Sequence, residues 1–433
     1  MPNSLSSAAY QRARQVMPGG NTRASNFEKP HPLYLASGDG AYVTDVDGKR
    51  YLDFQNNFTA LIHGYNHAEV TRAIHRQAEL GSSFAGPTIA EIELAELLVE
   101  RVAYFEQIRF TNTGSEAVMM AIKAARALTG HHLIAKCEGA YHGNYDIVEV
   151  NVTAAPLGGA GYGQARGEHA GVAASAISDC LVIPFNDIEG SRLILEAAAD
   201  RLAAVVIDPL PSRIGLIPVN ATYLAFIREF TRRHSSLLIL DQVLSFRLGY
   251  GGAPICAAGF PDLCAFGKII GGGLAIGAVA GSADYMAVFD PSSPYGARVF
   301  HSGTFTANPL SMAAGRAAMT TLGTCDLDRL NELGARTRFL LTEALAAAGC
   351  CGAVTGQGSL FRLFIGPERI ATYADTFAAA RDPRLKFVID RMRENGVLLS
   401  PIGLGALSTP MGEADVSRLV GTFKTALRAL EHQ

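Results

Sequence analysis

The stretch LCAFGKIIGGGLAIGAVAG, residues 263–281, carries a single charged residue, Lys268. Small or apolar residues flank this lysine on both sides, so its ammonium is expected to be at least partly buried. Burying an ammonium is unfavourable unless another group compensates for the lost water. The apolar runs 263–266 and 277–281 predict two strands, and glycines 271–273 allow the chain between them to pass close to another group.

Other apolar runs share the continuous character of these two strands. Such runs are typical of strands that are covered on both faces, whereas half-exposed strands alternate between apolar and polar residues. Helical patterns at 114–130 and 220–234 lie between the runs, and this alternation predicts an α/β fold whose mainly parallel seven-stranded sheet has helices on both sides. The further predicted strands are 107–110, 132–138, 180–185, 203–208 and 236–241.

The two ends of the chain have a different pattern. Residues 38–54 show two short strand patterns around an Asp-Val-Asp-Gly turn, which predicts a hairpin. From about residue 310 onward, long helical patterns alternate with the strand patterns 359–365 and 396–401. We therefore expect a smaller α+β domain beside the large one. The expected division is an N-terminal segment at 1–59 that belongs to the small domain, a large domain at 60–309 and a C-terminal small domain at 310–433.

A Gly/Ala-rich stretch at 155–176 lacks any periodicity and predicts a mobile loop. It contains a G-x-G-x-G pattern, which alone is a weak indication of dinucleotide binding. No amphipathic helix follows the pattern, so the nucleotide interpretation is disfavoured.

Composition narrows the possible functions. The net charge of −3 gives no electrostatic reason to expect nucleic acid as a partner, and no apolar run reaches the roughly 18 residues of a membrane span. The seven cysteines are scattered without a C-x-x-C pair, which disfavours a disulfide framework and predicts a cytoplasmic protein. No metal site is expected, because Gly64 and Asn66 interrupt the spacing of His63 and His67.

Three features lie where a ligand crevice is expected. Asp241 ends one apolar run and Lys268 follows another, and the carboxyl ends of strands in open α/β sheets face the crevice. The turn TNTGSEA (111–117) begins a helix, where free N–H groups and the helix dipole favour an anion such as phosphate. Each feature also has an ordinary explanation. Asp241 could cap a helix, Lys268 could be solvated, and Thr113 or Ser115 could be a simple N-cap.

Together the three features match the needs of pyridoxal phosphate. The helix start would hold the phosphate, and the carboxylate would keep a proton on the pyridine nitrogen so that the ring can accept electrons. The lysine would form the Schiff base, since burial lowers its pKa and makes the neutral amine accessible.

The chain also resembles a known family. NTGSEA, EGAYHG, LILDQV, FGKIIGGG and HSGTFTANP occur in the order and approximate spacing of the class III (fold type I) pyridoxal phosphate-dependent aminotransferases. MPGGNTR and SSFAGPT are similar to the glutamate-1-semialdehyde aminomutase-like branch, which includes β-amino acid and D-phenylglycine aminotransferases. The resemblance covers nearly the whole chain.

The resemblance implies roles for individual residues. Lys268 would be the Schiff-base lysine and proton carrier, Asp241 the partner of the pyridinium nitrogen, and Val243 the residue beneath the ring. Tyr141 would stack on the ring, with His142 a candidate for the same wall. The remaining implied contacts are phosphate binding by Thr113, Gly114 and Ser115, a cofactor contact by Asp208, a phosphate contact from the neighbouring subunit of a homodimer by Thr304, and substrate carboxylate binding by Arg23.

The chain departs from the family pattern at two positions. Gln242 stands where the family usually has glutamate, and Asp208-Pro209 stands where it has Glu-Pro. The following stretch, PLPSRIG (209–215), also differs from the aminomutase-like pattern. These departures leave the lysine and Asp241 in place but change the charge expected around the cofactor.

The favoured function is an aminotransferase that moves an amino group between an amino acid and a keto acid. An aminomutase of the glutamate-1-semialdehyde type or a racemase is the alternative, and a cofactor-binding protein without turnover is disfavoured by Lys268. We expect one carboxylate site, at Arg23, and an apolar opposite wall from Ile402 and Leu404. That pocket favours a non-acidic amino acid, of the β or D type.

Overall fold

The computed structural model describes residues 4–158, 165–255, 259–294 and 296–430. The strands in these ranges are β1 (Leu35–Asp39), β2 (Tyr42–Asp45), β3 (Arg50–Asp53), β4 (Gln107–Thr111), β5 (Leu133–Cys137), β6 (Cys180–Ile183), β7 (Leu202–Ile207), β8 (Leu237–Asp241), β9 (Leu263–Gly267), β10 (Gly277–Gly281), β11 (Gly352–Thr355), β12 (Leu360–Ile365), β13 (Val397–Leu398) and β14 (Leu404–Ala406). The helices are α1 (Leu5–Val16), the single turn α2 (Asn56–Thr59), α3 (Ala68–Leu80), α4 (Ile89–Arg101), α5 (Gly114–Thr129), α6 (Ala174–Ser178), α7 (Ile188–Glu196), α8 (Ala221–Arg233), α9 (Ala283–Met286), α10 (Pro309–Thr321), α11 (Thr324–Ala347), α12 (Tyr373–Ala379), α13 (Pro383–Glu394) and α14 (Glu413–Leu430).

The central sheet has seven strands in the order β4-β10-β9-β8-β7-β5-β6. Neighbours from β9 to β6 pair in parallel, whereas β10 runs antiparallel to both β4 and β9. The predicted α/β fold with a mainly parallel seven-stranded sheet is therefore confirmed. All seven predicted strands form it, with bounds that differ by at most two residues.

Alternate residues of the central strands enter two different hydrophobic cores. In β7, Val205 and Ile207 face one core, while Ala204 and Val206 face the other. All four side chains are fully buried. Burial on both faces explains why these strands appear in the sequence as continuous apolar runs.

The chain ends build two smaller sheets. The predicted hairpin is present as β2 and β3, and β1 extends it. The expectation of two strands after residue 310 was incomplete, because β12 lies between β11 and β14 in a three-stranded sheet. The short strand β13 instead pairs in parallel with β3. This pairing connects the N-terminal and C-terminal parts of the chain.

The turn α2 is left-handed, with φ angles of 47°, 48°, 55° and 73° from Asn56 to Thr59. Such angles cost roughly 1–2 kcal/mol per non-glycine residue, so tertiary contacts must hold the turn. The fully buried Arg247 donates from Nη1 to the carbonyl of Thr59 at 3.0 Å and from Nε to Ser359 Oγ at 2.9 Å. Its Nη2 donates to the carbonyl of Leu407.

The predicted loop at 155–176 falls partly on residues 159–164, which lie outside the described residues. Within its described part, residues 174–176 begin helix α6, and Gly167 forms an isolated antiparallel bridge with Val150.

Candidate active site

Three neighbouring parallel strands each carry a titratable residue at their carboxyl end. Asp208 follows β7, Asp241 ends β8 and Lys268 follows β9. Burial lowers the pKa of Lys268, while the negative charges of Asp241 and Asp208 oppose that shift. The structure thus brings together Asp241 and Lys268, which the sequence placed in one crevice, and Asp208, for which the resemblance implied a cofactor contact. A lysine with a lowered pKa beside two carboxylates is an arrangement typical of catalytic sites.

Lys268 has an unusual backbone as well as an unusual setting. Its φ is 52°, in the left-handed region that non-glycine residues seldom adopt. Conformations of this kind cost about 1–3 kcal/mol and cluster at functional sites. The strain therefore fits a lysine that is held in place for chemistry.

His142 and Asp241 form a buried pair. His142 Nδ1 lies 2.8 Å from Asp241 Oδ2, and Asp241 Oδ1 accepts from the backbone N–H of Val243 at 3.0 Å. Burial lowers the pKa of His142, which favours the neutral ring donating from Nδ1 to the carboxylate. His142 Nε2 is buried without a partner among the described residues. The resemblance placed His142 beside the ring, and the structure shows its contact with Asp241.

Asp208 is buried close to the same group. Its Oδ1 accepts from the backbone N–H of Leu210 at 2.9 Å. Burial and the negative charge of Asp241 nevertheless raise the pKa of Asp208 well above its usual range, and Lys268 opposes them only in part. The Asp208 carboxyl group therefore resists ionisation beside the Asp241 carboxylate unless a further cation is present.

The predicted phosphate turn lies at the N-terminus of helix α5. Thr113 caps the helix, since its side chain accepts from the backbone N–H of Glu116 at 3.1 Å. The alternative interpretation as an N-cap is thus correct for Thr113. Ser115 Oγ accepts from the backbone N–H of Asn144 at 3.1 Å. The cap does not exclude an anion, because the first N–H groups of a helix lack partners within the helix.

Glycines allow close approaches on both sides of this turn. Gly143 has a φ of 95°, and a Cβ atom there would collide with Ser115. A Cβ atom on Gly114 would lie 2.8 Å from the methyl carbons of Val243. Val243 also lies 3.4 Å from the Cβ position of Gly267, the residue before Lys268. Val243 therefore lies between the helix start and the residue before the lysine, and its place beneath a ring stays a prediction.

Tyr141 forms a partly open wall. Its ring is 43% exposed, and its hydroxyl donates to Asn144 Oδ1 at 3.0 Å. The guanidinium of Arg213 lies over this ring at 5.5 Å from its centroid. An accessible aromatic face at a crevice is suited to stacking on a planar ligand.

The remaining two predicted residues lie on the surface of the single chain. Arg23 is exposed, donates to Asn57 Oδ1 at 2.9 Å and lies 5.6 Å from the ring centroid of Phe58. Both contacts are made to the left-handed turn α2. Thr304 is exposed in the segment that follows the exposed Phe300. The roles of Arg23 and Thr304 stay predictions.

The residues present fit pyridoxal phosphate. The helix start and Ser115 can bind a phosphate, Asp241 can hold a pyridinium proton, and Lys268 is a half-buried amine whose pKa is lowered by desolvation. The unpaired Nε2 of His142 behind Asp241 is a polar atom that a ligand or an ordered water can satisfy. Val243 and Tyr141 offer an apolar and an aromatic surface for the two faces of a ring.

Sequence reasoning did not identify the contacts of three residues at or beside the site. Asn144 contacts both Ser115 and Tyr141. Gln242 is fully buried and accepts from the backbone N–H of Ala253 at 2.8 Å, while its amide nitrogen donates to the hydroxyl of Tyr104. A neutral amide is therefore satisfied where a carboxylate was expected. The third residue is Arg213. The sequence pointed to it only through the stretch 209–215, which differs from the aminomutase-like pattern.

Comparison with known proteins agrees with this geometry. Residues 24–411 match the family described as aminotransferase class-III. The chain belongs to the class III aminotransferases. Among curated members, it is 34% identical over 433 residues to glutamate-1-semialdehyde 2,1-aminomutase 2 of Lysinibacillus sphaericus, covering 96% of each chain. It is 35% identical over 395 residues to the corresponding aminomutase of Methanothermobacter thermautotrophicus, covering 90% of this chain and 91% of the relative.

Solved structures of this class share the whole fold. An omega-transaminase from Sphaerobacter thermophilus is 44% identical with a TM-score of 0.95, covering 99% of this chain and 98% of the other. A beta-phenylalanine aminotransferase from Variovorax paradoxus is 32% identical with a TM-score of 0.87, covering 99% and 94%. The family and fold predicted from the motifs are confirmed.

No described helix combines the length and apolar character that crossing a membrane requires. Among the described residues, no group of three or more His, Cys, Asp or Glu side chains is arranged to hold a metal ion.

Proposed function

We propose that this protein is a pyridoxal phosphate-dependent aminotransferase that acts on amino acids with a non-acidic side chain, of the β or D type. The observation that carries the proposal is the meeting of Lys268, Asp241 and Asp208 at the ends of adjacent strands, where burial lowers the pKa of the lysine. Membership of the class III family supports the cofactor, as does a transaminase solved with PLP bound, which is 43% identical with a TM-score of 0.91.

When bound, the cofactor supplies a protonated ring that accepts electrons from a bond broken at the carbon bearing the amino group. The residues of this chain do the rest. Asp241, oriented by His142 and by the backbone N–H of Val243, holds the proton on the ring nitrogen. Lys268 removes and returns the proton at the reacting carbon. The start of helix α5 and Ser115 bind the phosphate.

Chemical trapping tests the position of the reactive lysine. Borohydride reduction of the cofactor-loaded protein, followed by peptide mapping, is expected to leave the pyridoxyl group on Lys268. Lys136 is the matched internal control, because it is also buried and burial lowers its pKa to about 8. Lys136 Nζ donates to the carbonyl of Val150 at 2.6 Å, and we expect it to stay unlabelled. A label on any lysine other than Lys268 contradicts the proposal.

The aminomutase is the second candidate, because the two curated relatives described above carry that name. Both reactions use the same lysine and aspartate, so the site geometry does not separate them. A screen of amino donors and keto acceptors, monitored through cofactor absorbance, does separate them. An aminotransferase stops after one half-reaction until a keto acid is added. An aminomutase completes its reaction on a single substrate.

Arg23 is proposed to bind the substrate carboxylate. Arginine offers a planar, permanently charged fork that matches a carboxylate, and Asn57 and Phe58 hold the fork here. Arg23→Ala is expected to raise KM for carboxylate substrates at least tenfold more than for simple amines. Arg12→Ala is the matched control at an exposed arginine of helix α1. Equal effects on both substrate classes would mean that the carboxylate binds elsewhere.

We also propose a homodimer with shared active sites, in which Thr304 reaches the partner's phosphate. The exposed aromatic rings of Phe300 and Phe305 beside it support a buried interface. The domain division at residues 59 and 309 remains our proposal, and so does a cytoplasmic location. The free state of the described cysteines is compatible with a reducing compartment.

A further inference from the structure

The loop after Asp208 is held rigidly from outside. Pro209 and Pro211 restrict its backbone, and the backbone N–H of Leu216 donates to the carbonyl of Pro211 at 3.0 Å. Three further side chains donate to carbonyls within the loop. They are Arg362 Nη1 to Ser212 at 2.6 Å, Thr376 Oγ1 to Ile214 at 2.9 Å and Thr355 Oγ1 to Gly215 at 2.5 Å. The backbone on both sides of Arg213 is therefore fixed.

The side chain of Arg213 has no comparable anchor. Its guanidinium lies 5.5 Å from the ring centroid of Tyr141, and it is only partly exposed. Within the described ranges, it forms no hydrogen bond and no ion pair. Its positive charge lowers the pKa of Tyr141, against the larger effect of burial, which raises it. The fixed loop thus places the guanidinium of Arg213 over the ring of Tyr141.

Four more deeply buried arginines among the described residues pair their guanidinium groups within the protein. Arg101 donates to the carbonyls of Met319 and Tyr250, and Arg228 binds the carboxylate of Asp262 at 2.8 Å. Arg247 and Arg362 each donate to protein oxygen atoms. A partly buried guanidinium without such partners loses hydration at a cost in free energy, and its contact with an aromatic ring offsets only part of that cost. Arg213 is therefore suited to an anion that arrives with the substrate.

We propose that Arg213 is a specificity-determining residue that receives a carboxylate of the substrate beside Tyr141. This inference rests on the proposed aminotransferase function and adds to it. The sequence led us to expect a single carboxylate site, at Arg23, and the structure supplies a second guanidinium on a different segment. Loss of either guanidinium is then expected to weaken binding of a carboxylate substrate. We assign the substrate carboxylate as the anion that binds the Arg213 guanidinium. The alternative ligand is an oxygen atom on the cofactor ring, and the experiment below distinguishes the two.

The test measures binding and turnover of Arg213→Gln in the cofactor-loaded protein. Calorimetry with 3-phenylpropanoate is expected to give a dissociation constant at least tenfold weaker than that of the wild type. The uncharged 3-phenylpropanamide should bind equally to both proteins. KM for β-phenylalanine should rise at least tenfold, whereas KM for 1-phenylethylamine should change less than twofold. Arg213→Lys should recover part of the affinity, since the charge remains but the fork is lost.

Arg232→Gln is the matched control, because it removes one exposed arginine from helix α8. It should leave every constant unchanged. Unchanged binding of 3-phenylpropanoate in Arg213→Gln overturns the inference. A shift of the cofactor absorbance with equal losses for the acid, the amide and the amine also overturns it, because Arg213 would then contact the cofactor. Labelling of Lys268 by borohydride reports on the proposed function separately, so failure of Arg213 is distinguishable from failure of that function.

Discussion

His142 Nδ1 donates to Asp241 Oδ2 across 2.8 Å, joining the loop after β5 to the end of β8. Both side chains are almost completely buried, so water cannot replace either partner. Asp241 also accepts from the backbone N–H of Val243. Its carboxylate is thus held from two sides. Under the proposed function, His142 acts through Asp241 as a positioning residue.

We expect His142→Phe to lower kcat about tenfold or more while KM changes little, because one hydrogen bond of this kind is worth about 1–2 kcal/mol. Burial lowers the pKa of His142, so folding favours the neutral ring. The unfolded chain then binds more protons below its ordinary pKa of about 6.5, and wild-type stability falls as pH drops through that region. Thermal unfolding at pH 7.5 and pH 5 should show a smaller pH effect in the variant. An equal effect in both proteins would contradict the role of His142.

Asp208→Asn is expected to stabilise the cofactor-free protein at pH 8. The pKa of Asp208 is raised by burial and by Asp241, so ionisation above the unfolded-state pKa of about 4 opposes folding. An asparagine oxygen can keep the bond from the N–H of Leu210 and removes that penalty, which we put at about 1–3 kcal/mol. The gain should fade near pH 4. Denaturant unfolding at both pH values measures it, and a variant that is less stable at pH 8 would refute the argument.

Gly143→Ala should weaken cofactor binding at least tenfold. The φ of 95° strains any side chain, and the new methyl group would displace Ser115, which we assign to the phosphate. Gly48→Ala is the matched control, since its φ is 85° but a Cβ atom there meets open space. Both variants should lose about 1 kcal/mol or more of stability from backbone strain. Spectroscopic titration with pyridoxal phosphate should detect weaker binding only for Gly143→Ala, and equal binding in both variants would remove Ser115 from the phosphate site.

Mixing two inactive variants tests whether sites are shared between subunits. Lys268→Ala lacks the reactive amine, and Thr304→Ala is expected to bind the cofactor poorly. A heterodimer of the two contains one site with both residues intact, so activity should partly return. Differently tagged subunits establish that exchange has occurred. Exchange without recovery would place Thr304 within its own subunit's site or outside any site.

Local patterns predicted the sheet well because its strands are buried on both faces and therefore appear as continuous apolar runs. Helical patterns in the sequence separate these runs. Lys268 and Asp241 were predictable because both end apolar runs. The pairing of β13 with β3 was not, since it joins Val397 to Leu52 through contacts that no local pattern encodes. The left-handed turn α2 was equally hidden, because Phe58 and Thr59 have no intrinsic preference for positive φ.

Contacts between distant residues account for what the sequence missed at the site. The family motif containing Tyr141 and His142 indicated a wall beside a ring, but nothing local showed that the imidazole reaches Asp241. Arg213 was visible only as a departure from the family pattern. Its position over Tyr141 depends on donors from the C-terminal sheet that fix the loop.

Arg247 joins three stretches of chain that lie far apart in the sequence. Its guanidinium stays charged at neutral pH, since burial lowers the pKa only to about 9. The carbonyls of Thr59 and Leu407 and the hydroxyl of Ser359 solvate that charge from three stretches of chain. If any one of these stretches unfolds locally, the Arg247 guanidinium stays in an apolar interior with fewer oxygen atoms to accept its hydrogen bonds. Local opening of any of the three stretches is therefore disfavoured, and the buried cation helps to hold the left-handed turn that Arg23 contacts.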